Sequence, residues 1–154
     1  MAMKPDNDRK IISTNKDARF RYAIEELIEA GLQLVGTEVK SLRIGKVQMA
    51  DAYVFVKNGE AFLTNMHIPE YTHGNRLNHD PLRQRKLLLH KRQIDKLAAA
   101  VNELGLSIVP TEMYFLKGKA KIELGIGKGK KMHDKRASIK DKESKREMDR
   151  ARKR

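Results

Sequence analysis

Residues Gly31–Arg43 read GLQLVGTEVKSLR, and how this stretch is taken decides the fold. Leu32 and Leu34 flank polar Gln33, which is the two-residue period of a half-buried strand. After Gly36 the phase changes: Val35 and Val39 carry the apolar face, while Glu38 and Lys40 share the other. A phase switch at a glycine inside a strand predicts a bulge or sharp bend, the device that lets a sheet curl into a barrel. On these residues alone, an ordinary bent strand outweighs a binding surface.

Immediately upstream, Tyr22–Ala30 (YAIEELIEA) reads differently. Ala23, Ile24, Leu27 and Ile28 fall at helical spacing, and Gly31 would suit a helix C-cap. Local propensity therefore argues for a helix here. Before it, Ile11–Arg21 contains NKDARFR, a solvated lead-in in which Asn15 and Asp17 suit a cap or turn. Residues 1–10 are polar, contain one proline and read as disordered.

Downstream, Gly45–Ala52 is a connection. Ala52–Val56 and Ala61–Met66 are rich in Tyr, Val and Phe, and Asn58-Gly59 between them is a strong hairpin signal. His67–Pro81 is a long polar loop. Leu82–Lys91 (LRQRKLLLHK) runs from basic residues into three leucines. Over Lys91–Leu104 the stripe Ile94, Leu97, Ala98, Val101 and Leu104 predicts an amphipathic helix that Gly105 stops. Leu106–Leu116 is a strand broken by Pro110, hence a bulge or a switch between sheets, and Ala120–Ile126 returns after the turn Lys117-Gly118-Lys119. Five or six strands and a single main amphipathic helix predict a mainly β chain: a small Greek-key barrel of the oligonucleotide-binding (OB) type. A ferredoxin-like sandwich would want two long helices. The division expected is 1–10 disordered, 11–127 barrel and 128–154 tail.

The chain has 154 residues, 34% of them charged, with a net charge of +13. Such a balance points to a polyanionic partner. No apolar run is long enough to span a bilayer, and the N-terminus lacks the apolar segment of a secretory signal. Cysteine is absent, which removes disulfides and thiolate chemistry and fits a cytoplasmic protein.

The tail, residues 128–154, differs in kind. It holds thirteen Lys or Arg against five Asp or Glu, a net +8, which leaves +5 for the other 127 residues. Its few apolar residues cannot offset the entropy of ordering it, so it should be disordered when free. It nevertheless lacks proline, and Asp141–Lys145 and Asp149–Lys153 are acid-first i,i+4 pairs that favour helix. It reads as an arm that becomes helical against a polyanion, the plainer alternative being a solubilising tail.

No constellation for chemistry emerges. His67, His73, His79, His90 and His133 have no metal-ligand spacing. Gly125–Lys131 lacks the form of a phosphate-cradling loop, and no serine sits in a nucleophile elbow. We expect no enzyme, no metal and no cofactor.

Three separated motifs, GTEVKSLR, RKLLLHK and GKGKKMHDKR, closely resemble those of the SmpB family, the SsrA-binding proteins, in order and spacing from about Ile12 to about Lys140. The resemblance implies a strand, not a helix, over Tyr22–Ala30. That strand would turn at Glu29-Ala30-Gly31 and pair with Leu32–Lys40 as a hairpin. It further implies binding of transfer-messenger RNA (tmRNA) and delivery to stalled ribosomes for trans-translation, with alanyl-tmRNA and elongation factor Tu in the complex. The RNA-facing residues carried over are Asn15, Lys16, Arg19, Glu29, Lys40, Arg43, Lys86, Leu88 and His90. Many relatives have Asn where this chain has His90. A carboxylate beside RNA cannot bind phosphate, so Glu29 is expected to accept a hydrogen bond. In the tail, Lys128, Lys130, Lys131, His133, Asp134, Lys135 and Arg136 would enter the empty decoding site and mRNA channel, against small-subunit ribosomal RNA. The rival readings are a general OB-type RNA-binding or ribosomal protein, and an RNA-processing enzyme.

Overall fold

The computed structural model describes residues 9–72, 78–130 and 142–148. Seven strands form one sheet: β1 (Arg9–Thr14), β2 (Tyr22–Leu32), β3 (Tyr53–Lys57), β4 (Glu60–Thr64), β5 (Arg85–Leu88), β6 (Ser107–Leu116) and β7 (Lys119–Gly129). Their lateral order is β1-β6-β7-β2-β5-β4-β3, with every pairing antiparallel. Three helices join them: α1 (Lys16–Arg21), α2 (Gly36–Arg43) and α3 (Lys91–Asn102). The sheet curls until β3 lies against β6, which makes the expected mainly β barrel.

Both tight hairpins are set by turn chemistry. Asn58 and Gly59 have φ of 53° and 73°, and Lys117 and Gly118 have 50° and 78°. Two successive positive φ values define the turn whose twist matches paired strands. Between Pro110 and Glu112 the β6–β7 register shifts, so of the two readings at Pro110 it is the bulge, not a switch between sheets, that forms where proline cannot donate to the ladder.

Tyr22–Leu32 is strand throughout. β2 pairs with β7 from Tyr22↔Gly129 to Gly31↔Lys121, so a long-range ladder overrides the helical spacing. The predicted hairpin with Leu32–Lys40 does not form. The other edge of β2 meets β5 instead, at Gly31↔Leu88 and Leu32↔Leu87 only. The crossing is tight at Gly31, where a Cβ would lie 3.1 Å from Leu88 Cβ.

GTEVKSLR is a helix, not a bent strand. Its buried residues are Glu38, Ser41 and Leu42, at i, i+3 and i+4. That is the inward face of a helix, disguised in sequence because two of its three members are polar. Glu38 accepts from Val35 N–H at 2.9 Å, from Arg83 Nη2 at 2.6 Å and from Arg85 Nε at 2.5 Å. Ser41 Oγ donates to Pro69 O at 2.8 Å. Buried polar groups satisfied in this way fix the helix.

The lead-in is more ordered than expected. β1 begins at Arg9, inside the segment read as disordered, and pairs with β6. α3 ends at Asn102, so Leu104 falls outside the helix and is 69% exposed, while Leu97 and Ala100 face the core. Fully buried Leu63, Leu87, Leu97, Ile108, Met113, Ile122 and Leu124 fill the barrel interior. β7 runs to Gly129, two residues into the expected tail, and Lys130 N–H then donates to Arg21 O at 2.8 Å. Further along the tail, residues 142–148 are helical, with every side chain exposed. No described helix is long and apolar enough to cross a membrane.

Candidate nucleic-acid interface

Where β2 leaves β7's partner register and touches β5 at only two residues, the barrel has a seam. A cleft lies along it. Glu29 of β2, Lys86 and Leu88 of β5, and His90 at the start of α3 all line this cleft. These four were separate expectations from sequence, and the fold brings them together. Lys121 of β7 also lines the cleft; its Nζ would stand 3.6 Å from a Cβ at Gly31.

Each side chain is placed by its element. Leu88 is 54% exposed because β5 ends there and outward alternation leaves it facing solvent. Lys86 Nζ pairs with Glu60 Oε1 at 3.1 Å, and both groups are exposed, so the pair is weakly held. His90 is the N-cap residue of α3; its backbone N–H donates to Gln93 Oε1 at 3.1 Å. The cleft therefore combines cations, an exposed leucine and two carboxylates, Glu29 and the Lys86-paired Glu60. Cations there can take phosphate, and the apolar surface can take a sugar or base face.

Glu29 is exposed, and its Oε2 accepts a hydrogen bond from the Tyr114 hydroxyl. Burial and the hydrogen bond to Glu29 push the Tyr114 phenol well above the ordinary tyrosine range. It stays a protonated donor at any physiological pH.

The remaining expected residues lie elsewhere. Lys16 and Arg19 are exposed on α1. Asn15 is committed to the fold: its Nδ2 donates to Pro110 O at 2.8 Å and to Met49 O at 3.2 Å. Lys40 and Arg43 are exposed on α2; Lys40 Nζ stands 5.7 Å from the Tyr71 ring centroid. Arg43 lines a second cleft, with Lys10, Lys117 and Phe115, near the free edge of β1. Lys128 is exposed at the end of β7 and Lys130 is half-buried just beyond it. Lys131, His133, Asp134, Lys135 and Arg136 lie outside the described residues.

Lys121 and Tyr114 were missed from sequence. Lys121 had a legible signal, since Lys119, Lys121 and Glu123 alternate with Ala120, Ile122 and Leu124 along one strand. Tyr114 had none, because its partner Glu29 is 85 residues away.

Residues 12–154 match a family model described as SmpB protein. A relative called SsrA-binding protein from Bacillus pumilus (strain SAFR-032) is 54% identical over 147 residues, covering 96% of this chain and 94% of its own. One of the same name from Mycobacterium leprae (strain Br4923) is 52% identical, covering 96% and 92%. Another, from Syntrophotalea carbinolica, is 55% identical, covering 92% and 95%. A chain from a solved structure described as "tmRNA-SmpB: a journey to the center of the bacterial ribosome" is 45% identical, with a TM-score of 0.66, covering 78% of this chain and 85% of that one.

Proposed function

The chain belongs to the SmpB protein family, and on that premise we propose that it binds tmRNA and delivers it to stalled ribosomes for trans-translation. The barrel holds the tRNA-like part of the RNA, and the basic tail occupies the empty decoding site and mRNA channel. One observation carries the residue-level reading: the fold gathers Glu29, Lys86, Leu88 and His90 at a single seam, with Lys121 beside them.

Within this reading the residues divide by role. Lys86 and Lys121 neutralise phosphate, releasing counterions, so affinity falls steeply with salt. Leu88 packs against a sugar or base. His90 donates a hydrogen bond, a role its imidazole can fill as an Asn amide could. Glu29 accepts one from a base edge or a ribose hydroxyl. Asn15 holds α1 in place, and α1 presents Lys16 and Arg19 to the RNA. Lys40 and Arg43 extend the contact along α2. Lys128, Lys130, Lys131, His133, Asp134, Lys135 and Arg136 begin the ribosomal contact. The protein performs no covalent step, needs no cofactor or metal, and works in the cytoplasm. Family membership supports arrival at the ribosome as a complex of alanyl-tmRNA with elongation factor Tu.

Deleting Met132–Arg154 tests the division of labour. Affinity for tmRNA should stay near that of the full chain while tagging of nascent peptides is abolished. Equal loss of both overturns the two-part reading. Competition with bulk tRNA separates it from a general OB-type RNA binder, which would show little preference for tmRNA.

A further inference from the structure

Glu29 is one of three carboxylates standing side by side. Across the sheet Glu29 on β2 is paired with Glu123 on β7, and Glu123 with Glu112 on β6. A net +13 chain has thus placed a row of like charges across neighbouring strands, where direct cross-strand repulsion is destabilising. Two of the three are compensated. Arg9 of β1 pairs with Glu112, and its Nη2 lies 3.9 Å from Glu123 Oε2. Thr111 Oγ1 also donates to Glu123 Oε1 at 2.7 Å.

Glu29 has no cation partner among the described residues. Its one intramolecular bond there is the Tyr114 hydroxyl on Oε2, which leaves Oε1 without a partner. Tyr114 itself is only 1% exposed, and the Arg9 guanidinium lies 3.7 Å from its ring centroid. The ring is therefore immobilised by burial and by a cation over its face. A rigid buried donor gripping one oxygen of an exposed carboxylate removes the side-chain freedom that Glu would otherwise lose on binding.

We propose that Tyr114 is a positioning residue for RNA recognition: its hydroxyl fixes Glu29 so that the free carboxylate oxygen is presented to a hydrogen-bond donor of the RNA, a base N–H or a ribose 2′-hydroxyl. Arg9 steadies the tyrosine ring and satisfies the two neighbouring glutamates, so that Glu29 is left to the RNA. Glu29 also keeps phosphate away from this position, because a phosphate there would meet its uncompensated charge. A donor edge is the part of the RNA that fits. This assignment rests on the reading that Glu29 meets tmRNA.

The test is a cycle on the full-length protein with tmRNA: Tyr114→Phe, Glu29→Gln and the double variant, each with its urea midpoint and its Kd measured over a series of salt concentrations. Tyr114→Phe should weaken binding about fivefold to tenfold, the size of one net hydrogen bond. The slope of log Kd against log salt should not change, because no phosphate contact is lost. The double variant should bind no more weakly than the weaker single one. Glu29→Asp, at an exposed site where folding is not threatened, withdraws the carboxylate from Tyr114 while keeping its charge. It should weaken binding comparably, and adding Tyr114→Phe should cost nothing more. Additive losses, or parental affinity in Tyr114→Phe beside weakened Glu29→Gln, overturn the positioning role. Parental affinity in Glu29→Gln overturns the underlying reading of Glu29 instead.

Discussion

Arg85 Nε donates to Glu38 Oε2 at 2.5 Å, and both side chains are wholly withdrawn from solvent. The remaining Arg85 nitrogens are also spent, Nη1 on Met66 O at 2.7 Å and Nη2 on Pro81 O at 3.1 Å. One ion pair thereby fastens α2, which carries Lys40 and Arg43, to β5, which carries Lys86 and Leu88. Removing one partner strands a buried charge, so Glu38→Ala should lose about 3–5 kcal/mol of stability in urea denaturation. Arg85→Met paired with Glu38→Leu should recover much of that loss, since both charges then leave together.

The same pair sets an acid limit. Burial alone would raise the Glu38 carboxyl, but hydrogen bonds from Arg83 and Val35 N–H and the charge of Arg85 outweigh it and hold the group below the ordinary carboxylate value of 4.5. A depressed folded-state value means the unfolded chain takes up the proton first, so stability is present above about pH 4.5 and is lost as pH falls. The urea midpoint should drop as pH falls from 5 towards 3. In Glu38→Gln that drop should be shallower.

Asn15 gives a stability prediction. Asn15→Ala leaves Pro110 O and Met49 O without the amide donor they have now. The cost should be about 1–3 kcal/mol in thermal or urea unfolding. Affinity for tmRNA, measured well below the unfolding midpoint, should change far less than in Lys16→Ala/Arg19→Ala.

Two glycines should respond with opposite signs. A Cβ at Gly127 would lie 2.4 Å from Ala23 O on the paired strand, so Gly127→Ala must spread β2 from β7. A loss of about 1–3 kcal/mol is expected. Gly36, at the start of α2, has nothing within 4 Å of its missing Cβ, and its φ is not positive. Gly36→Ala should stabilise by about 0.4–1 kcal/mol. Urea midpoints of the two variants check both.

Lys121 lines the same cleft as Glu29, Lys86, Leu88 and His90, and the sequence reading left it out. Lys121→Ala should reduce the slope of log Kd against log salt by about 0.7–0.9, the release of counterions from one phosphate. It should weaken tmRNA and competitor RNA alike, because a phosphate contact carries no sequence information.

Much of the architecture was legible where local chemistry decides it. Asn58-Gly59 and Gly118 announced their turns, and Pro110 announced the bulge, because those residues restrict backbone angles wherever they occur. GTEVKSLR was misread because its inward face is Glu38, Ser41 and Leu42, and hydrophobic periodicity cannot see a carboxylate neutralised by an arginine 47 residues away. α1 has six residues, too few to show a period. The helical spacing in Tyr22–Ala30 was real but lost to a nine-pair ladder with β7. At the site, motif resemblance supplied Glu29, Lys86, Leu88 and His90 as names. Only the crossing of β2 and β5 at Gly31 explains why they share one cleft.

The bond from Lys130 N–H to Arg21 O fixes the root of the basic arm to the body at the far end of β2 from Glu29. An arm with an anchored origin searches from a set point, not from bulk solution. Once the body is seated, the effective concentration of the arm at its target depends on the length and stiffness of the chain beyond that anchor. Inserting residues after Lys130 would therefore act as slack in a tether, diluting the arm at its target without altering one of its charges.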